Sequence, residues 1–216
     1  MNSPVHNASF YDRVIILEQG NFLLSCMTTL RNYETSPIDF HRTFEVVSTQ
    51  LIAAVHTDPF NVETPTGLTY SGCKQVKPIC GVSILRAGES FENALRRCCG
   101  MGKILIQRDE ETFTPTHLYS KLPRNIKEST VLILEPMLAT GGSASKAVES
   151  LKEKGVSEGN IIFVNLVASR FGLETIMTRF PELRLVTAAI DEQLTSSRHI
   201  APGLGDFGDR FYGTEE

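Results

Sequence analysis

Val131-Leu132-Ile133-Leu134-Glu135-Pro136-Met137-Leu138-Ala139-Thr140-Gly141-Gly142-Ser143-Ala144 reads as a buried strand that runs through a loop straight into a helix. In a parallel sheet such a loop lies at the carboxyl end of the strands, where ligands bind. Thr140, Gly141, Gly142 and Ser143 put small residues and backbone N–H groups at the helix start, where unpaired donors and the positive end of the dipole attract phosphate. A Cβ at either glycine would keep the anion away. Glu135, at the strand end, is unsuited to phosphate itself but suits ribose hydroxyls or an associated Mg²⁺. The ligand implied is a sugar phosphate. The competing interpretation is a plain Gly-Gly turn with Ser143 as an N-cap. The window is not a Walker loop, since no Lys follows the glycines until Lys146.

Short β-branched runs recur on either side of this window: Ile79 to Leu85, Lys103 to Gln107, Thr130 to Leu134, Ile161 to Val167 and Leu185 to Ile190. Helical stretches separate them, at Ser90 to Cys98, Ser143 to Lys154 (with Gly155 as C-cap) and Leu173 to Arg179. This alternation predicts an α/β fold with a central parallel sheet flanked by helices. Thr35-Ser36-Pro37, with Asp39 three after Ser36, opens a long amphipathic helix carrying Phe44, Val47, Leu51, Ile52 and Val55, which ends before Asp58-Pro59. Without repeats or a linker the chain is one domain, 1–216, with an N-terminal helical region to residue 60 and a core from 61. The polar stretch from Arg108 to Pro123 is an extended, flexible arm or flap.

With 216 residues, a formal charge of -4, 41% hydrophobic and 21% charged residues, the composition is that of an ordinary globular protein. The longest aliphatic run, Leu51 to Val55, is far short of the ~20 residues that span a bilayer, so no membrane contact is expected. Met1 to Phe10 is polar and lacks a secretory signal, which places the chain in the cytoplasm. Five cysteines without C-x-x-C spacing read as reduced core thiols. The slightly acidic balance argues against nucleic acid as a partner.

Two further windows carry chemistry. In Gly81-Val82-Ser83-Ile84-Leu85-Arg86-Ala87-Gly88, Arg86 leaves a strand end with a fork of donors for an oxygen-rich ligand. Near the C-terminus, Gly203-Leu204-Gly205-Asp206-Phe207-Gly208 matches the dinucleotide fingerprint letter by letter, but only eight residues follow, too few for its helix and second strand. Four glycines with Asp206 and Asp209 instead form a tight loop able to hydrogen-bond a small flat polar ligand, such as a uracil-like base. Gln107-Arg108-Asp109-Glu110-Glu111-Thr112, taken alone, is a solvated charge run.

Together with Thr187-Ala188-Ala189-Ile190-Asp191, Pro202 to Arg210 and Arg108 to Thr112, these windows resemble the uracil phosphoribosyltransferase family of the type I phosphoribosyltransferase fold, in family order over residues 60–214. Gly88-Glu89-Ser90 and Thr64-Pro65-Thr66-Gly67 are similar to its eukaryotic branch. The resemblance implies transfer of phosphoribose from 5-phospho-α-D-ribose 1-diphosphate (PRPP) to uracil, giving UMP and pyrophosphate with Mg²⁺ carried mainly by PRPP. It also implies a C-terminal hood over the base. Arg86, Arg108, Asp206 and the loop Glu135, Pro136, Met137, Leu138, Ala139, Thr140, Gly141, Gly142 and Ser143 would meet PRPP; Arg86, Arg108 and Asp206 would be catalytic. Ile200, Gly205, Asp206 and Phe207 would hold uracil. Homodimers or homotetramers are implied, since the N-terminal amphipathic helix needs a partner surface. GTP is an effector in some relatives, and no motif here decides it.

Three departures accompany the resemblance: Glu135 for the usual Asp, Ala168-Ser169-Arg170-Phe171-Gly172 for an Ala-Ala-Pro pattern, and a short Cys98-Cys99-Gly100-Met101-Gly102. The alternative is a catalytically weak or inactive UMP-binding regulatory protein of the same fold. A purine or orotate transferase would not predict the Glu135-Pro136 pair or the glycine-rich C-terminal loop.

Overall fold

The computed structural model describes residues 10–55, 58–96, 99–108 and 115–214. In chain order its elements are β1 (Val14–Ile16), α1 (Asn21–Arg31), α2 (Pro37–Ala53), β2 (Asp58–Glu63), β3 (Thr69–Lys74), β4 (Ile79–Leu85), α3 (Glu92–Leu95), β5 (Gly100–Arg108) and β6 (Pro115–Lys121). These are followed by β7 (Thr130–Leu134), β8 (Met137–Leu138), α4 (Gly142–Glu153), β9 (Ile161–Ser169), α5 (Arg170–Arg179), β10 (Arg184–Asp191), β11 (Gln193–Leu194), β12 (Ile200–Ala201) and α6 (Phe207–Tyr212). The main sheet runs β1-β10-β9-β7-β4-β5-β6, with β8 added beside β9. Every pairing in it is parallel except β5 with β6. The expected α/β architecture with a central parallel sheet is therefore present.

Strand pleating sorts the core onto the two faces. Val131 and Ile133 pack with α4 and α5 residues such as Ala147, Leu151, Leu173 and Ile176, whereas Leu132 and Leu134 pack with α1 and α2. Alternate side chains of a strand must point to opposite faces, so a strand that is apolar throughout can sit only between two helical layers. β7 and β9 are buried at every position.

Local chemistry sets the helix ends. Ser36 caps α2 by accepting from the Asp39 N–H at 3.1 Å and donating to Asp39 Oδ2 at 2.8 Å, with Pro37 in the first turn. Phe40, Phe44, Val47 and Leu51 then form one buried stripe. α4 closes as a Schellman turn, Gly155 N–H donating to Lys152 O and Val156 N–H to Leu151 O. α5 begins at Arg170 rather than at Leu173 because Ser169 caps it, accepting from the Gly172 N–H at 2.8 Å.

Several expectations are corrected. The N-terminal sixty residues are not purely helical: β1 joins the sheet as its edge strand and β2 begins at Asp58. β2 and β3 form a separate hairpin that was not expected: Phe60 and Val62 alternate with Asn61 and Glu63, but the run is short, follows Pro59 and stays exposed instead of joining the core. The helix expected over Ser90 to Cys98 is a 3₁₀ turn, Ala87–Phe91, leading into the four-residue α3. In the expected arm, Pro115–Lys121 is a strand paired with β5; residues 109–114 lie outside the described residues. The stripe of α2 is covered by this chain's own sheet and α6, so it supplies no need for a partner. Cys80 is buried, but Cys73 is exposed on β3 and is no core thiol. Burial, then the neighbouring Cys99, pushes the Cys80 thiol up to about 11.

Phe44 is fully buried, with its ring 4.8 Å from Phe207 and 5.0 Å from Phe91. Phe44→Ala should cost about 3–5 kcal/mol. Urea denaturation checks this, and a loss under ~1 kcal/mol would show that the aromatic cluster is not an anchor between α2 and α6.

Candidate active site

Because β4, β5, β7, β9 and β10 run parallel, their carboxyl ends open on one edge of the sheet. That edge collects Arg86, Arg108, Glu135, Ser169 and Asp191 at or just after the strand ends. Gly88 locks the first of these in place: a Cβ there would lie 2.1 Å from Leu134 O, so only glycine lets the Arg86 turn press against the end of β7. Behind the turn, the buried Glu92 accepts from Ser83 Oγ at 2.9 Å and Arg96 Nη2 at 2.9 Å, and Lys103 bridges Glu89 and Glu92 at 2.5 and 3.4 Å.

The glycine-rich loop is held from below. Leu166 and Val167 donate their N–H groups to Pro136 O at 2.8 and 3.0 Å, Glu135 N–H donates to Val164 O, and Met137 and Leu138 pair with Val167 and Ala168. Ser169 Oγ donates to Ala139 O at 2.5 Å, so the departure Ser169 both caps α5 and fastens this loop. Gly141, at φ +81, is the N-cap of α4, and among the described residues no side-chain bond caps that helix. Ser143 is not the cap: it lies inside the first turn and is buried. The arrangement presents first-turn amides and the helix dipole to an anion. The Arg108 backbone pairs with Pro115, whose Cγ would be 3.5 Å from a Cβ on Gly142, so the end of β5 is brought beside the loop. The Arg108 side chain is outside the described residues.

The C-terminal loop closes the opposite side. A Cβ on Gly208 would lie 3.2 Å from Arg86 Nη2 and 3.3 Å from Asp206 Oδ1, which places these two candidate residues together. Asp206 caps α6 by accepting from Asp209 N–H at 3.0 Å and is itself exposed, as is Gly205. Phe207 is different. Its ring is buried among Phe40, Phe44 and Phe211, so any contact with a ligand there runs through its main chain. Ile200 is likewise buried, in the β11–β12 ribbon.

Residues without any local signal brace this hood. Arg31 of α1 makes a two-pronged pair with the buried Asp191 at 2.7 and 2.8 Å and also donates to Gly203 O, while Gly203 N–H donates to Asp191 Oδ2. The buried Arg210 guanidinium donates to the carbonyls of Leu30, Leu204 and Asn32 and lies 4.4 Å from the Phe40 ring centre. Arg170, the other departure, pairs through two bonds with Glu192 and donates to the Tyr11 hydroxyl. It joins the start of α5 to the end of β10.

The arrangement can bind a phosphate at α4, present a guanidinium and a carboxylate side by side, and seat a flat ligand against backbone groups of the hood. Comparison with known proteins identifies the family. A family model described as uracil phosphoribosyltransferase matches residues 17–214. The chain is 45% identical over 215 residues to a uracil phosphoribosyltransferase of Dictyostelium discoideum, covering 96% of this chain and all of that protein, 100%. It is 45% identical over 209 residues to one of Saccharomyces cerevisiae, covering 94% and 97%. A solved structure from Aquifex aeolicus superposes with a TM-score of 0.77 at 30% identity, covering 94% of this chain and 99% of that one.

Burial alone would raise the Glu92 carboxyl, but Arg96, Ser83 and Lys103 outweigh it and hold it below the usual 4.5. A carboxylate whose value is depressed on folding contributes stability above its unfolded value and loses it as pH falls through the folded one. The protein should therefore lose stability as pH falls below the usual carboxylate value of 4.5, and Glu92→Gln should lose less over the same fall. Denaturant midpoints against pH test this; parallel profiles would remove Glu92 from the acid transition.

Proposed function

The chain belongs to the uracil phosphoribosyltransferase family, pentosyltransferases that convert uracil and PRPP to UMP and pyrophosphate, and from that premise we propose how its residues divide the work. The observation that carries the reading is that Arg86 and Asp206 both lie within 3.3 Å of where a Cβ on Gly208 would stand, on the sheet edge that also holds the glycine start of α4.

The loop Thr140-Gly141-Gly142-Ser143 anchors the 5′-phosphate, remote from the bond that breaks, so that phosphate binding serves to position the ribose. Glu135 takes ribose hydroxyls; Pro136, Met137, Leu138 and Ala139 shape the floor. Breaking the bond from C1 to the diphosphate develops positive charge on the ribose and negative charge on the leaving group. Arg86 and Arg108 neutralise the latter. Uracil lies against Ile200, Gly205, Asp206 and the main chain of Phe207, its edge reading fixed amides and carbonyls.

Mg²⁺ fits this donor set as an ion carried by the substrate. Mg²⁺ characteristically keeps substrate phosphates and water in its shell. Glu135 and Asp206 are the carboxylates able to accept from its waters. When bound, the ion neutralises the leaving diphosphate.

Pyrophosphate release from PRPP and Mg²⁺, with uracil, orotate, hypoxanthine and adenine offered separately, each with and without GTP, tests the reading. Dependence on uracil is expected. Silence with every base in a protein that still binds UMP would favour the regulatory alternative. Asp206→Asn should cut turnover by ~100-fold or more with folding intact, since Asn also caps helices well. Near-normal turnover would remove Asp206 from the mechanism.

A homodimer or homotetramer in the cytoplasm, where phosphorylated sugars are retained, completes the proposal. Its support is the set of exposed apolar side chains on α1 and the β2–β3 hairpin, including Phe22, Phe60, Val62 and Tyr70. Light scattering at assay concentration should give at least twice the chain mass, and a monomer would contradict it.

A further inference from the structure

Arg86 is held at three points by the last residues of the described chain. Its Nη2 donates to Asp209 Oδ1 at 2.8 Å and its Nη1 to Thr214 Oγ1 at 3.3 Å, while the Tyr212 hydroxyl donates to the Arg86 carbonyl at 3.1 Å. The Tyr212 ring lies under the guanidinium, 5.6 Å from its carbon. These contacts form a closed unit, since Thr214 Oγ1 also donates to Asp209 Oδ1 at 2.7 Å and Asp209 N–H donates to Asp206. The unit is rigidly mounted, because buried Arg210 ties α6 to the end of α1 and buried Phe207 ties it to α2. Nothing in the proposed chemistry yet uses Asp209, Tyr212 or Thr214.

We propose that Asp209, assisted by Thr214 and Tyr212, is a positioning residue that fixes the Arg86 guanidinium for the diphosphate of PRPP and couples it to the base-side loop at Asp206. The inference rests on reading Arg86 as a diphosphate contact. An arginine on a flexible stem must be ordered before it can serve a transition state, and ordering it beforehand removes that cost from the reaction. Asp209 and Thr214 take one N–H on each terminal nitrogen, leaving the remaining donors of the fork for the ligand. The contact does not mask the arginine: 56% of its side chain is exposed, and the Asp209 carboxylate bonded to it, 37% exposed, is weak competition for a diphosphate. Asp209 also joins the two halves of the site. Its side chain holds the diphosphate partner while its amide is held by Asp206.

Initial rates of the full chain, with PRPP and uracil each varied, test this in wild type, Asp209→Asn, Arg86→Gln and the double variant. Asp209→Asn should lower kcat/KM for PRPP by about tenfold with KM for uracil and the unfolding midpoint little changed. The same substitution in the Arg86→Gln background should have no further effect, since no guanidinium remains to be positioned. Thr214→Val should follow Asp209→Asn in direction with a smaller loss. Tighter PRPP binding by Asp209→Asn would overturn positioning in favour of masking. An equal loss with both substrates, or an undiminished loss in the Arg86→Gln background, would reduce Asp209 to a structural residue. Impaired Arg86→Gln beside normal Asp209→Asn overturns the inference alone, whereas normal Arg86→Gln overturns the reading of Arg86 and the inference with it.

Discussion

The carbonyl oxygen of Leu134, at the end of the central strand β7, occupies the space a side chain at position 88 would need. This contact between a turn and a strand end sets the spacing of the site. It brings Arg86 against the strand that delivers Glu135 and the glycine-rich loop, and it allows no tolerance, because backbone cannot be compressed as a flexible side chain can. The buried ion pairs of Glu92 lie directly behind it and resist withdrawal of the turn.

The second wall of the site is built differently. The C-terminal hood contains little apolar surface beyond Ile200, Leu204 and Phe207, and it is fastened by charge-assisted bonds from Arg31, far away in sequence, and from its own Arg210, which reaches back to Leu30. Arg31 and Arg210 satisfy carbonyls that a loop of glycines would otherwise bury unpaired. A rigid loop with exposed Gly205 and Asp206 results, which suits recognition of a flat polar ligand by backbone groups. The same strategy recurs at Ser169, whose one hydroxyl both caps a helix and clasps Ala139 O.

Much of this was legible locally. β4 and β7 follow their apolar runs residue for residue, and α2 starts at the Ser36-Pro37 cap its sequence announces. The glycine loop was recognisable because phosphate binding at a helix start needs small residues at consecutive positions. The hairpin of β2 and β3 was not, since its alternation of Phe60 and Val62 with Asn61 and Glu63 is too short to mark a strand and leads to no core. Nor was the short edge strand β1, whose three residues look like any aliphatic run until β10 pairs with them. Phe207 illustrates a subtler gap: its position in the motif is right, yet its ring belongs to the core with Phe40 and Phe44.

What the sequence by itself determined is the fold class, the order of the main parallel strands β4, β5, β7, β9 and β10, and the family, and it nominated the residues proposed to meet a phosphate and a base. All of these depend on neighbours in the chain, through period, capping and spacing. Only the tertiary structure decided which distant groups hold those residues in place: Arg31 with Asp191, Arg210 with Leu30 and Asn32, Asp209 and Thr214 with Arg86. Such pairings join positions more than a hundred residues apart, and a charged side chain gives no local sign of which carboxylate or carbonyl it will reach once the sheet has brought them together.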